Sequence, residues 1–132
     1  MTYSEFVTAL SGLSVTGVRK KFDAPPSQLS TAALPAMYPR FPEGSGEVVA
    51  LDGSSGISSF ACELAIVVNP GAQDRNDVNY AAAVALMSAL DEALRAEAAD
   101  EDYIDRWSMR LDVEPVGDNM YWVIIARVEA SE

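Results

Sequence analysis

One stretch constrains this chain more than any other: residues 77–98 read as a single long helix. Tyr80, Val84, Met87, Leu90 and Leu94 recur at three- and four-residue spacing, which lines them along one face of a 3.6-residue repeat. Ala82, Ala83, Ala85, Ala89, Ala93 and Ala96 are strong helix formers with little bulk, so other backbone can approach closely. Apolar runs flank the helix, at residues 60–68 before it and 107–113 and 120–128 after it. A long helix with one apolar stripe must bury it, and these runs supply the strands of a small sheet to receive it.

At 132 residues the chain is expected to form a single domain, residues 1–132, burying about two-thirds of its unfolded surface. No apolar run approaches the roughly 20 residues that span a bilayer, so no membrane partner is expected. The opening MTYSEFVTAL lacks the basic and apolar regions of a signal peptide. The one cysteine, Cys62, lies inside an apolar strand-like run. It has no partner for an intramolecular disulfide, which fits synthesis in a reducing cytosol.

Charge is the strongest compositional signal, with nine basic residues against 20 acidic ones and a net charge of −11. Residues 1–45 hold Arg19, Lys20, Lys21 and Arg40 against Glu5, Asp23 and Glu43, a net of +1. The remainder holds five arginines against 17 carboxylates, a net of −12. Gripping DNA or RNA requires basic residues to replace phosphate counterions, and this balance opposes that. An anionic membrane surface is disfavoured for the same reason.

The N-terminus predicts a short helix over residues 3–11. Thr2 and Glu5 match a capping box, and Tyr3, Phe6, Val7 and Leu10 form its apolar stripe. Ser11-Gly12-Leu13 reads as its end, with Gly12 in the left-handed conformation. Residues 15–22 suit a short strand with Val18, Lys20 and Phe22 on one face. Its Arg19-Lys20-Lys21 trio has two readings: a solvated edge that discourages aggregation, or a contact patch for an acidic partner, including a second copy of this chain.

Residues 23–46 are predicted to be a long proline-rich loop. Pro25, Pro26, Pro35, Pro39 and Pro42 exclude a long helix or a central strand. Leu29, Leu34, Met37, Tyr38 and Phe41 supply apolar anchors, so the loop is expected to be ordered and to serve as a binding arm. A strand over 47–51, a turn over 52–56 and a second strand over 57–69 follow. Phe60, Cys62, Leu64, Ile66 and Val68 share one face of that second strand, and Ala61, Glu63, Ala65 and Val67 the other. Such two-sided burial marks a central strand. Asp74, Asn76 or Asp77 is placed to cap the long helix.

Seven carboxylates and one arginine between positions 91 and 105 predict a solvated acidic helix end. Their spacing is not that of a calcium-binding loop. Trp107, Met109, Leu111 and Val113 alternate with polar residues, as in a strand with one wet face. After a turn over 115–119, Met120, Trp122, Ile124, Ala126 and Val128 share one face of the last strand. Tyr121, Val123, Ile125 and Arg127 share the other, as expected of a central strand or one covered by a partner subunit. The fold class is α+β: a small, mostly antiparallel or mixed sheet packed by one long and one short helix.

Catalytic constellations are sparse. The chain has no histidine, which removes Ser-His-Asp and Cys-His chemistry and histidine-bearing zinc sites. Cys62 is expected to be a packed thiol rather than a nucleophile. Gly53-Ser54-Ser55-Gly56 lacks the following lysine and helix of a phosphate loop and reads as a hairpin turn. No catalytic residue, metal ligand or cofactor site is expected, and the chain is read as non-enzymatic.

The stretch GVRKKFDAPPSQLSTAALPAMYPR, residues 17–40, resembles a segment of small tail-assembly proteins from long-tailed bacteriophages. In those proteins a short helix leads through a proline-bearing loop into an LPA-type strand, here Leu34-Pro35-Ala36. A hairpin, a long helix and a terminal hairpin follow. That order covers nearly the whole chain and looks most like the tail terminator, or head-tail joining, proteins. The resemblance implies a virion protein assembled in the bacterial host cytoplasm. It would form a homo-oligomeric ring, as a hexamer, capping the tail tube protein and meeting the head connector or neck proteins while DNA passes through without specific binding. Neck, head-closure and tail-completion adaptors share similar designs and remain an alternative. Outside that class stand a monomeric binding domain and a small enzyme with no recognised site. For an assembly role the candidate interface residues are Arg19, Lys20, Lys21, Tyr38, Arg40, Phe41, Tyr121 and Arg127.

Overall fold

A computed structural model describes residues 1–48, 56–70 and 76–131. The chain runs α1 (Tyr3–Ser11), β1 (Lys20–Lys21), β2 (Ala36–Val48), β3 (Gly56–Pro70), α2 (Asn76–Glu101), β4 (Ile104–Val116) and β5 (Asn119–Ser131). The strands form one mixed sheet in the order β1-β2-β3-β5-β4, antiparallel except where β1 meets β2. The α+β class, with one long and one short helix on the sheet, is therefore shown.

The capping box closes α1: the Glu5 amide donates to Thr2 Oγ1 and the Thr2 amide to Glu5 Oε1, each at 3.1 Å. Phe6 and Leu10 are fully buried and give a helix of only nine residues its stability. Gly12 at its end has φ −87°, in the right-handed rather than the expected left-handed region. The strand expected over 15–22 shrinks to Lys20–Lys21, because Gly17 takes φ 97° and turns the chain before it.

The proline-rich stretch divides. Residues 23–35 are irregular apart from a short 3-10 turn (Thr31–Ala33), whereas 36–48 are strand. The Phe22 amide donates to the Met37 carbonyl, so odd-numbered backbone groups at the start of β2 face outward towards β1. Pro39 shares that parity and points its donorless nitrogen past the end of β1. Pro42 lies in a bulge where the register jumps from Arg40 to Glu43. Both prolines therefore sit where the ladder needs no N–H, which is how a strand tolerates them. The expected strand over 47–51 is the tail of β2 up to Val48; positions 49–55, with most of the expected turn, lie outside the described residues, as does Asp74.

Helix α2 runs about two turns beyond Leu94, and the face it buries keeps the C-terminal half of the expected stripe but not its first two residues. Ala83, Leu86, Leu90 and Leu94 are buried against the sheet, while Tyr80 and Val84 are 56% and 41% exposed. At its N-terminal half the helix is rotated so that Ala83 and Leu86, rather than Tyr80 and Val84, face the sheet. The expected acidic end is partly tied down: Asp91 Oδ1 accepts from Trp107 Nε1 at 2.8 Å and Glu97 Oε1 from the Tyr103 hydroxyl at 3.0 Å. Glu92, Asp100, Glu101 and Asp102 are exposed.

Two apolar layers result. Under the helices lie Phe60, Cys62, Leu64, Ile66, Ile124, Ala126 and Val128, joined by Phe6, Leu10, Leu90 and Leu94. On the other face Ala65, Val67, Val123 and Ile125 pack with Tyr38, Tyr121, Val116 and Leu34, bordered by Phe22 and Leu29. Residues 22–35 thus act as the second cover of the sheet, in place of a further helix.

Candidate interaction surface

On the face away from the helices, alternation along β2 directs Tyr38 and Arg40 to the same side as Glu63 of β3 and Glu114 of β4. Arg40 Nε donates to Glu63 Oε1 at 2.9 Å, and its two terminal nitrogens donate to Glu114 at 2.7 and 3.2 Å. In register, Arg40 lies opposite Glu63, Glu63 opposite Arg127, and Arg127 opposite Ser108. A flat sheet would place Glu114 about 14 Å across and about 20 Å along from Arg40. The two meet because the sheet coils into a trough, helped by bulges in β2, β3 and β4. The Arg40 side chain is 10% exposed, and its two carboxylates raise its pKa further above the ordinary arginine value against the opposing effect of burial.

The eight candidate residues fall into three groups. Tyr38 and Tyr121 are both 4% exposed and belong to the trough-side core. Burial lifts the Tyr38 phenol above its usual pKa, and the Tyr121 hydroxyl donates to the Leu29 carbonyl at 3.4 Å, pinning the covering segment. Arg40 joins them as an internal tie. Arg127 stands further along the trough, donating to both Glu43 oxygens at 3.4 Å. Arg19, Lys20 and Lys21 are exposed at the β1 edge, and Phe41 is exposed on β2.

The basic trio is not a single patch of free charge. Arg19 donates to the Ala32 carbonyl and Lys21 to the Gly12 carbonyl, both at 3.2 Å, while Lys20 lies over the Phe22 ring. Among the described residues none of the three forms an ion pair with a carboxylate. Phe41 is the most unusual of the eight. It is 64% exposed, sits in the β2 bulge with φ 50°, and carries the Arg40 guanidinium 5.0 Å from its ring centre. A bulky residue in the left-handed region costs about 1–3 kcal/mol, and such outliers gather at functional positions.

One further surface is exposed where the periodicity led to an expectation of burial. Tyr80 meets Trp122 edge-on at 6.5 Å, Trp122 is paired with Val113, and Met120 stands two residues before Trp122 on the same face. Tyr80, Val84, Val113 and Met120 are each about 39% or more exposed. The signal was available: Tyr80 and Val84 lie on the same 3.6-residue repeat as Leu90 and Leu94, and only the alanines decide which flank faces the sheet.

Cys62 is fully buried, its thiol donating to the Arg40 carbonyl at 3.3 Å, and burial pushes its pKa up to about 11. At neutral pH it is a packed thiol with negligible thiolate. Among the described residues no group of three or more carboxylate or cysteine side chains is arranged to hold a metal ion, and no helix is long and apolar enough to cross a membrane. No protein-family model matches the sequence, and no curated protein matches it.

Proposed function

We propose that this chain is a structural assembly protein of a bacteriophage virion, a tail terminator. In that reading it forms a hexameric ring on the head-proximal end of the tail tube, stops tube growth and joins the tail to the head connector. The resemblance of residues 17–40 to tail-assembly proteins suggests the class. The observation that carries an assembly role is the exposed apolar surface of Tyr80, Val84, Val113 and Met120 on a chain of net charge −11. Large apolar side chains gathered on one side of an otherwise highly charged protein mark a surface that a partner covers. Such a role needs subunit contacts and two distinct ring faces rather than an active site. The test is to add the purified chain to polymerising tail tube protein of a long-tailed phage and look for capped tubes of limited length by negative-stain microscopy.

A further inference from the structure

Two sides of the molecule complement one another. On the β2 side, Phe41 projects from its bulge, and the outer edge of β2 beyond Met37 has no partner strand among the described residues. The basic trio lies on the same side, with Lys21 level with Met37 and so about 13 Å along the strand from Phe41. At the opposite edge of the sheet, α2 and β4 border a shallow, open groove of about 380 Å³ lined by Val84, Met87, Ser88 and Met109, with Asp91 and Glu92 on its rim. Glu92 lies eight helix residues beyond Val84, about 12 Å away.

We infer that the groove receives Phe41 from a second copy of this chain, in a head-to-tail contact that sets the basic trio against the acidic end of α2. Charge complementarity selects this occupant. Arg19, Lys20 and Lys21 have no carboxylate partner among the described residues, and Glu92 has no cation. A phenylalanine ring fits the groove's volume, and the left-handed backbone of Phe41 holds that ring away from its own core. Knob and groove lie on opposite sides of one chain, so the contact is heterologous and repeats, closing into a ring where the rotation per subunit allows. This deepens the proposed assembly role by assigning the two surfaces that meet, and it rests on that reading.

Two substitutions at exposed positions test it without touching the core: Phe41→Asp removes the knob and Val84→Asp spoils the groove. Sedimentation velocity at up to about 100 µM, above the micromolar constants of weak specific interfaces, reads the assembly state. The wild-type chain is expected to self-associate, and each variant to weaken association at least about tenfold while keeping its circular dichroism. Mixing the variants is decisive, because one intact knob and one intact groove remain: they should give one-to-one heterodimers and nothing larger. Wild-type monomers at every concentration overturn the inference. So does self-association that both variants leave unchanged; if such variants still cap tail tubes, the pairing fails while the terminator reading stands.

Discussion

Arg40 and Glu114 stand on strands separated by two others, yet their side chains share two hydrogen bonds of 2.7 and 3.2 Å. That contact records the coil of the sheet and helps hold it. Arg40→Met leaves Glu63 and Glu114 facing each other without their shared cation. The expected loss is about 3–5 kcal/mol in urea unfolding, the range for breaking a largely buried pair. Glu114→Gln, which keeps an acceptor, should cost less. Near-equal stability of Arg40→Met and wild type would mean the coil is held without this tie.

The rotation of α2 makes a sharp contrast testable. Leu94 is fully buried and Val84 is not, although both belong to the apolar stripe visible in the sequence. Leu94→Ala should lose about 3–5 kcal/mol through lost burial and the cavity left behind. Val84→Ser should change stability by no more than about 0.5 kcal/mol. Equal losses in chemical denaturation would restore the stripe that the sequence alone suggests.

Asp91 supplies a pH signature. The Arg95 guanidinium, and then the Trp107 indole N–H, hold its carboxyl below the ordinary value of 3.8. A carboxylate depressed in the folded state stabilises fully above its unfolded pKa and loses that contribution as pH falls through the folded one. Asp91→Asn should therefore lower the melting temperature by a constant amount above about pH 5, with the gap closing below about pH 4. Comparing the pair cancels the relief of repulsion that acid brings to the other carboxylates. A gap independent of pH would show that the charge of Asp91 does not stabilise the fold.

Helix α2 ends without a basic residue in its last turn, leaving Asp100 and Glu101 at the negative pole of the helix dipole. Asp100→Lys should raise stability by about 0.3–1 kcal/mol at low salt, and less as salt screens it. A destabilised variant would point to a role for Asp100 beyond solvation, readable in the same thermal melts.

The capping box, the long helix and the last two strands were legible because each follows a strong local rule: reciprocal side-chain caps, a 3.6-residue period, strict alternation. β2 was hidden because proline argues against a strand until the sheet order shows that Pro39 faces an open edge and Pro42 lies in a bulge. The buried face of α2 was only half legible, with Leu90 and Leu94 placed correctly, because side-chain bulk outweighs alanine in a periodicity reading, whereas packing buries Ala83 and Leu86 in place of Tyr80 and Val84. Among the candidate residues, composition picked out aromatic and arginine side chains but not their exposure. Tyr38 and Tyr121 went to the core because residues 22–35 fold over the trough, a long-range event with no local signature. Phe41 stayed outside because a bulge turned it there.

The most direct measurement of the assembly role is tube length with and without this protein. Tail tube subunits polymerised in its presence should stop growing and carry a ring at one end in negative-stain images. Tubes that grow to the same lengths either way, with no density added at their ends, would contradict the terminator reading.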